Sequence, residues 1–141
     1  MSIESTINNT LKRPAKPSEQ SFVVKQLESP ERYVKRRVAH YASLYDVSAV
    51  QMMETIRCET AGTFDTSIQS YAIYPFTDKA RGIVEGTRER SYGLAQISMP
   101  HWDISIQQAK DPEFSMEFMA EQFSKGKQYY WTCWRNAHLK K

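Results

Sequence analysis

The chain has few of the residues that hold small cross-linked domains together. Two of its 141 residues are cysteine, which excludes a disulfide-rich mini-scaffold and a zinc finger built from cysteines. No apolar run approaches the length of about 18 residues that a membrane-spanning helix needs, so we expect no membrane span. The first twenty residues also lack the apolar core of a secretory signal peptide. These absences indicate a globular domain without a visible export signal.

Common catalytic signatures are missing as well. The chain contains no GxxxxGK phosphate loop, no HExxH, no CxxC and no GxSxG. Its three histidines, His40, His101 and His138, are scattered along the chain. Each is interpreted as a surface or packing residue rather than a ligand. We therefore expect a protein that uses neither a metal nor an organic cofactor.

The composition is that of an ordinary globular domain with a mild positive charge. Hydrophobic residues make up 40% and charged residues 25%, and 19 basic residues against 16 acidic ones give a net charge of +3. This excess is too small for a dedicated nucleic-acid binder. A helix-turn-helix over residues 31–57 is also disfavoured, because its second helix would carry Glu54 and have Arg57 as its only basic residue. We therefore expect no nucleic-acid partner.

The pattern of the chain divides it into a tail and one domain. Residues 1–28 are polar, include two prolines and show no helical or strand period, which predicts a flexible N-terminal tail. Residues 29–141 are predicted to form the domain. An apolar stripe predicts its first helix over Glu31–Tyr45. A second helix is predicted from the N-cap Ser48 to a stop at Gly62.

The rest of the domain combines a loop-rich stretch with further helices. Glycines and scattered aromatics over residues 62–90 predict turns with at most one short hairpin. After Ser91 the chain is predicted to return to helix. The tripeptide DPE at 111–113 is a strong helix opening, and Gly126 is placed to end that helix. The fold class is therefore predicted as mainly α.

One acidic residue interrupts an apolar helix face and is the candidate catalytic group. Glu59 falls on the same face as Met52 and Ile56, in the last turn of the second helix. Desolvation on that face and the negative end of the helix dipole both raise the pKa of a carboxyl. A carboxyl that stays protonated near neutral pH is suited to act as general acid in glycosidic bond cleavage. The alternative is a half-exposed glutamate at a frayed helix end.

Two segments, CETAGTFDTSIQS at 58–70 and SYGLAQIS at 91–98, resemble the soluble lytic transglycosylase-like domain of the lysozyme superfamily. In that family a helix delivers a Glu-Ser pair into the cleft, for which Glu59-Thr60 stands here. A Gly-Leu-Met-Gln-Ile segment lines the cleft farther on, for which residues 93–97 stand. AKDPEFSMEFMAEQF at 109–123 and the ending WTCW at 131–134 are similar to the compact members. The resemblance implies an α+β lysozyme-like domain in which a loop-rich or short β-hairpin lobe flanks a cleft.

The resemblance also implies a reaction, the cleavage of the β-1,4 bond between N-acetylmuramic acid and N-acetylglucosamine in peptidoglycan. Glu59 would protonate the bridging oxygen, and the acetamido group of the substrate would stabilise the cationic sugar. Glu59 would then take the proton of the C6 hydroxyl as a 1,6-anhydro ring closes. Neither a second carboxylate nor a cofactor is needed. The residues expected to contact the sugars are Thr60, Ser91, Tyr92, Gly93, Gln96, Trp131 and Trp134.

Two departures from the family pattern concern this site. Thr60 stands where the family has serine, although it keeps the hydroxyl. The late Ala-Tyr-Asn-Ala-Gly element of the family is absent, so its tyrosine near the acid has no assigned counterpart here. Tyr130, Trp131 and Trp134 are the candidates for that place.

The two cysteines are placed where a cross-link would matter. Cys58 precedes the candidate acid, and Cys133 lies 75 positions on, in the tryptophan-rich C-terminal segment. A disulfide between them would tie the catalytic helix to the end of the domain and would suit an oxidising compartment such as the periplasm. Two buried free thiols are the alternative.

Further expectations concern the type of reaction and the place of action. A hydrolytic lysozyme of the same fold would need a second carboxylate, for which Asp65, Asp78 and Glu85 are candidates, although each is better interpreted as a solvated turn acid. A non-catalytic wall-binding or virion structural module would keep the fold without the reaction. The protein is expected to act at the cell wall, in the periplasm or outside the cell. Because no signal peptide is visible, this place of action implies another delivery route. A phage virion or a secretion machinery is such a route, and the N-terminal tail would be its contact.

Overall fold

The computed structural model of the protein describes residues 28–139, so the predicted N-terminal tail lies outside the described residues except for Glu28. Within this range the fold is mainly α, with one two-stranded antiparallel sheet, in agreement with the predicted class. No helix in the same range combines the length and the apolarity needed to cross a bilayer. The α-helices are α1 (Pro30–Tyr45), α2 (Ala49–Glu59), α3 (Ile106–Lys110), α4 (Pro112–Ser124) and α5 (Thr132–His138), and the strands are β1 (Ser91–Tyr92) and β2 (Ile97–Ser98).

Side-chain caps begin the three longest helices. The caps of α2 and α4 are the predicted ones, whereas the cap of α1, Ser29, was not predicted and α1 begins one residue before the predicted Glu31. Ser29 caps α1 and Ser48 caps α2, in each case through an Oγ that accepts the backbone N–H three residues on, at 3.2 and 3.1 Å. Asp111 caps α4, and Pro112 occupies the first position of that helix. At its other end, α4 is followed by Gly126 in the left-handed region, with φ of 74°. Local sequence therefore fixes the bounds of these helices.

Helices α1, α2 and α4 enclose the hydrophobic core. Val34 and Val38 of α1, Met52 and Ile56 of α2, and Met119 of α4 are fully buried. Burial of a side chain of this size stabilises the folded state by about 1.5–3 kcal/mol. The three helices therefore form the frame on which the rest of the domain is built.

A polar cluster around Glu113 also joins α1 to α4. The Glu113 carboxylate accepts hydrogen bonds from the hydroxyls of Tyr33 at 2.5 Å and Tyr41 at 2.7 Å, and it pairs with the Arg37 guanidinium at 2.7 Å. Partial burial opposes ionisation of this carboxyl, but the hydrogen bonds from the three partners outweigh it and lower the pKa of Glu113 to about 2. The two helices are therefore held by directed contacts as well as by apolar packing.

The predicted return to helix after Ser91 is wrong, because this segment forms a β-hairpin. Strands β1 and β2 pair in antiparallel register. Between them, Gly93 and Gln96 have φ values of 81° and 46°, which an α-helix cannot accommodate. The next α-helix, α3, begins only at Ile106.

The hairpin packs closely on α3 and on α4 of the helical frame. A Cβ atom at Gly93 would lie 1.9 Å from the Ala109 carbonyl oxygen of α3, so the position requires glycine. The Ala95 N–H donates to the buried Ser115 Oγ of α4 at 2.8 Å, and Leu94 is fully buried. The frame therefore fixes the position of the hairpin.

Residues 62–90 form a loop-rich lobe, as the sequence predicts. Isolated bridges hold it together, one of them between Ile73 and Arg88. Another bridge joins Gln69 to Tyr92 of β1, so the lobe continues the hairpin at its edge. Tyr74 of the lobe is buried. Helical frame, hairpin and lobe meet around one cleft.

Candidate active site

A cleft of about 850 Å³ lies where α2, the loop-rich lobe, the hairpin and the C-terminal segment meet. Its lining side chains come from the end of α2, from residues 74–76 and 89 of the lobe, from the hairpin and the turn after it, from Phe118 of α4, and from residues 129–132 and 135. A volume of this size suits a small organic ligand or part of a polymer.

Glu59, the last residue of α2, is partly buried and lines this cleft. Ile56, on the same helix face one turn earlier, is fully buried in the core. This face therefore turns Glu59 inward, where the helix ends at the cleft. Burial raises the pKa of Glu59 to about 7. A hydrogen bond from the backbone N–H of Cys133 acts in the opposite direction and lowers this pKa. The Glu89 carboxylate raises the pKa further, and the Arg135 charge lowers it. A carboxyl that holds a proton near neutral pH therefore faces the cleft.

Three other residues predicted to contact the substrate also line the cleft, namely Ser91, Gln96 and Trp131. The Gln96 amide is held in place because its Nε2 donates to the Ile68 carbonyl at 3.1 Å and to the carbonyl of Gly93 at 3.0 Å. Trp131 is buried and belongs to the core as well as to the wall of the cleft, since its Nε1–H donates to the Ala95 carbonyl at 2.7 Å.

Thr60 has a structural position instead of a position in the cleft. Its side chain is fully buried. The hydroxyl donates to the Ile56 carbonyl at 2.9 Å and accepts the Phe64 N–H at 3.0 Å. Thr60 therefore stabilises the turn that follows α2 just after the acid, and its hydroxyl is directed to the backbone rather than to the cleft.

Tyr92, Gly93 and Trp134, also predicted to contact the substrate, are not among the lining residues. The Lys110 ammonium lies 5.4 Å from the centre of the Tyr92 ring. Gly93 is covered by α3. Trp134 stacks on His138, and its Nε1–H donates to the Gln51 side chain of α2 at 3.1 Å. Trp134 therefore joins α5 to α2.

The sequence did not identify most of the aromatic lining. Phe76 of the lobe and Tyr129 are about half exposed. Trp102 contacts Tyr130 edge-to-face, with ring centres 5.8 Å apart. Of the three candidates for the late aromatic, Tyr130 and Trp131 line the cleft, whereas Trp134 does not. These side chains lie in short loops and a 3₁₀ turn without a period, so their convergence left no signal in the sequence.

The second carboxylate of the cleft is also not one that the sequence indicated. Asp65 accepts the N–H of Ser67 at 2.9 Å, and Asp78 pairs with Arg81 at 2.7 Å, so both serve local turns. Glu85 is exposed. None of these three acids lines the cleft, but Glu89 does. Its position two residues before the SYGLAQIS segment is the one signal that would have singled it out.

A disulfide joins the two sides of the candidate site. Cys58 and Cys133 are bonded, with Cα atoms 6.0 Å apart, and no free cysteine is present in the described part of the chain. The bond links α2, next to Glu59, to α5, which follows the aromatic wall of the cleft. Among residues 28–139, no group of three or more histidine, cysteine or acidic side chains is arranged to hold a metal ion.

The arrangement combines a carboxyl with a pKa of about 7, a second carboxylate, a cation and partly exposed aromatic side chains in one open cleft. Such a set suits acid catalysis on a ligand with both polar and apolar faces, as sugars have. Comparison of the chain with protein-family models, with curated proteins and with solved structures found no match.

Proposed function

We propose that the protein is a lytic transglycosylase that cleaves the β-1,4 bond between N-acetylmuramic acid and N-acetylglucosamine in peptidoglycan. The observation that carries the proposal is Glu59, a partly buried carboxyl in a cleft with a pKa of about 7. A general acid must be protonated at the working pH and must be ionised after it has donated its proton. A pKa near neutrality meets both requirements. The segments at 58–70 and 91–98, which suggested the family, contribute residues to this same cleft.

The proposed reaction needs one carboxyl, and it consumes no water molecule. Glu59 gives its proton to the bridging oxygen, which leaves with the N-acetylglucosamine as its C4 hydroxyl. The acetamido oxygen of the muramic acid attacks its own C1, and the C6 hydroxyl then displaces that oxygen. The C6 proton returns to Glu59, so the enzyme is regenerated and the product carries a 1,6-anhydro ring. Activity is expected to fall as the pH rises above about 7, because Glu59 then loses its proton.

The aromatic lining supports a glycan as the substrate. Phe76, Tyr129 and Tyr130 line the cleft and are each between 43 and 49% exposed, and aromatic rings can stack on the apolar faces of sugars. Ser91 and Gln96 add polar contacts. The net charge of +3 favours binding to a wall that bears carboxylates, and added salt should weaken that binding.

The lysozyme-like architecture and the place of action belong to the same proposal. The helical frame, the loop-rich lobe and the cleft between them agree with the arrangement that the resemblance implies. The disulfide supports an oxidising compartment, which agrees with action at the cell wall, in the periplasm or outside the cell. Delivery by a virion or a secretion machinery, with the N-terminal tail as the contact, remains part of the proposal.

A hydrolytic lysozyme is the second candidate, and Glu89 is the observation that favours it. A second carboxylate in the cleft would allow water to replace the C6 hydroxyl as the attacking group. The two reactions give different products, because a 1,6-anhydro end is lighter by one water than a reducing end. A wall-binding or virion structural module would give no product at all.

Mass spectrometry of the soluble products from purified peptidoglycan tests the proposal. The native protein is compared with Glu59→Gln, which keeps the shape of the side chain and removes the proton donor. Glu54→Gln is the matched control, since Glu54 is on the same helix, is more than half exposed and is outside the cleft. We expect anhydro-muropeptides from the native protein and from the control, and none from Glu59→Gln.

The other outcomes of this experiment each reject part of the proposal. Reducing ends that disappear with Glu59→Gln would favour the hydrolase. Products that are unaffected by Glu59→Gln would reject the assignment of the acid. The absence of products from all three proteins would favour the binding or structural module.

A further inference from the structure

Glu89 is a carboxylate in the cleft for which the proposed reaction has no task. It lies in the loop-rich lobe, two residues before β1. Its backbone is fixed on both sides, since its N–H donates to the Ala72 carbonyl at 2.8 Å and its carbonyl accepts the Gln69 Nε2–H at 3.1 Å. The side chain is partly buried and lines the cleft together with Glu59. A fixed backbone holds this carboxylate towards the cleft.

The basic neighbours of Glu89 are directed to other partners. The Arg88 guanidinium donates to the carbonyls of Ser70 and Gln69 at 2.7 and 3.2 Å, and Arg90 donates to the Gly82 carbonyl at 2.9 Å. In residues 28–139 the Glu89 carboxylate has neither an ion pair nor a side-chain hydrogen bond. Both neighbouring arginines donate to backbone carbonyls and not to Glu89. The Glu89 carboxylate is therefore available to a ligand.

The other titratable groups of the cleft form no ion pair with Glu59 or Glu89 in the described residues, although the Arg135 charge lowers the pKa of Glu59. The Arg135 guanidinium is bound to the Tyr129 carbonyl at 2.5 Å and to the Thr132 hydroxyl at 2.9 Å. The Nδ1 of His101 pairs with the Ser98 hydroxyl at 2.7 Å. The remaining titratable side chains that line the cleft are the phenols of Tyr74, Tyr129 and Tyr130. The cleft therefore holds one acid that can give a proton and one carboxylate without a bound cation.

We propose that Glu89 is a second catalytic carboxylate, which faces the sugar whose bond Glu59 breaks and stabilises the positive charge that develops on it. This inference rests on the proposed function. As the glycosidic bond breaks, C1 and the ring oxygen become positive, and a carboxylate on a fixed backbone beside them lowers the energy of that state. Glu89 forms no bond and moves no proton in this role.

The same carboxylate has an effect on the acid at rest. A negative charge near Glu59 disfavours the ionised form of that carboxyl, and Glu89 acts on the pKa of Glu59 in this direction. Removal of the Glu89 charge should therefore lower the pKa of Glu59. The two effects act together. Glu89 favours the protonated form of Glu59, and it then stabilises the positive charge that develops on the sugar when Glu59 donates its proton.

The test compares Glu89→Gln with the native protein in the release of anhydro-muropeptides over a range of pH. Glu85→Gln is the matched control, because Glu85 belongs to the same lobe, is exposed and does not line the cleft. We expect Glu89→Gln to lower kcat about tenfold or more and to move the alkaline limb of the pH profile to lower pH. The products should keep their anhydro ends, and Glu85→Gln should change neither kcat nor the profile.

A second readout does not depend on activity. Carboxyl carbon NMR titration of Glu59 should give a lower pKa in Glu89→Gln than in the native protein, and an unchanged value in Glu85→Gln. A merely structural role for Glu89 would lower the melting temperature without this shift. Such a result would overturn the inference.

Other outcomes also separate the two proposals. Activity that is abolished by Glu59→Gln but unchanged by Glu89→Gln overturns the role of Glu89 and leaves the proposed function standing. Reducing ends that are lost in Glu89→Gln would make Glu89 a base that activates water, which overturns the electrostatic role. If the native protein releases no product, the proposed function and this inference both fall.

Discussion

Glu59 should destabilise the folded protein wherever it is ionised. Burial raises its pKa from 4.5 to about 7, so folding opposes ionisation of this carboxyl. Below about pH 4.5 the group is protonated in both states and has no effect. Between pH 4.5 and pH 7 the unfolded chain loses this proton more readily than the folded protein, and stability falls as the pH rises.

Glu59→Gln is therefore expected to stabilise the protein at neutral and alkaline pH while it abolishes activity. The gain in the free energy of unfolding should be near zero at pH 4 and should reach on the order of 2 kcal/mol above pH 7. Urea denaturation of both proteins at several pH values measures it. Glu54→Gln is the control and should show no such trend. A gain that does not change with pH would contradict the raised pKa.

Thr60 presents a second prediction for a single residue. Thr60→Val removes the hydroxyl that links the Ile56 carbonyl to the Phe64 N–H and leaves both groups buried, so it should destabilise the protein by about 1–3 kcal/mol. Thr60→Ser keeps the hydroxyl and should lower the free energy of unfolding by less than Thr60→Val. Thermal unfolding followed by circular dichroism measures both. Equal losses for the two variants would show that the methyl group, and not the hydrogen bonds, matters at this position.

The residues of the site differ in how far the sequence could identify them. Glu59 was predictable because helical periodicity places it on a buried face, and that face exists in the structure. Glu89 and Arg135 were not, because each reaches the cleft from a segment whose path depends on tertiary contacts. Tyr92 and Trp134 were predicted as sugar contacts from the family resemblance and from their aromatic character, neither of which indicates the direction of a side chain.

Among the elements, the hairpin depends on the absence of a side chain at Gly93. Gly93→Ala would place a Cβ atom 1.9 Å from a backbone oxygen of α3. The clash is with backbone, so we expect a loss of about 3 kcal/mol or more in the free energy of unfolding. Because the hairpin contributes Ser91 and Gln96 to the cleft, activity should fall with it.

Gly86→Ala is the matched control for the hairpin. Gly86 also has a positive φ, of 87°, but a Cβ atom there would meet no atom within 4 Å. In this variant the free energy of unfolding should fall by only about 1–2 kcal/mol, because an alanine is less stable than a glycine in the left-handed region. Urea denaturation compares the two. Similar losses for both variants would mean that backbone strain, and not the contact with α3, makes glycine necessary at position 93.

The predictability of the elements follows the range of the interactions that form them. Helices α1, α2 and α4 begin at caps that involve residues two or three positions apart, and an apolar period extends over each of them. The hairpin has strands of two residues, which is too short for any period to be visible. Its form depends on α3 and α4, which follow it in the chain, so the sequence of the segment alone suggested helix.

At the scale of the whole molecule, the disulfide holds the C-terminal helix to the frame. Helix α5 has seven residues, none of them fully buried, and a helix so short is marginal on its own. The bond closes a loop of 75 residues, which corresponds to on the order of 4 kcal/mol in the free energy of unfolding. Reduction should therefore lower the melting temperature and release α5, with its Arg135, from the cleft.

Thermal unfolding and the release of muropeptides, each with and without a reductant, test this prediction. The double variant Cys58→Ser and Cys133→Ser should match the reduced protein and should not respond to reductant. We expect activity to fall more steeply than helix content, because α1, α2 and α4 do not depend on the bond. Full activity in the reduced protein would show that other contacts of α5 are sufficient.

The bond between the Trp131 indole and the Ala95 carbonyl has a spectroscopic consequence. Trp131 is buried between aromatic rings and linked to the hairpin, whereas Trp102 lies partly exposed in the cleft. The native protein thus contains one buried indole, one partly exposed indole in the cleft, and a third, Trp134, that stacks on His138. Trp134→Phe removes the third contribution. In that variant, loosening of the hairpin should appear as a red shift from Trp131, and occupation of the cleft as a change in intensity or a blue shift from Trp102, without any added label.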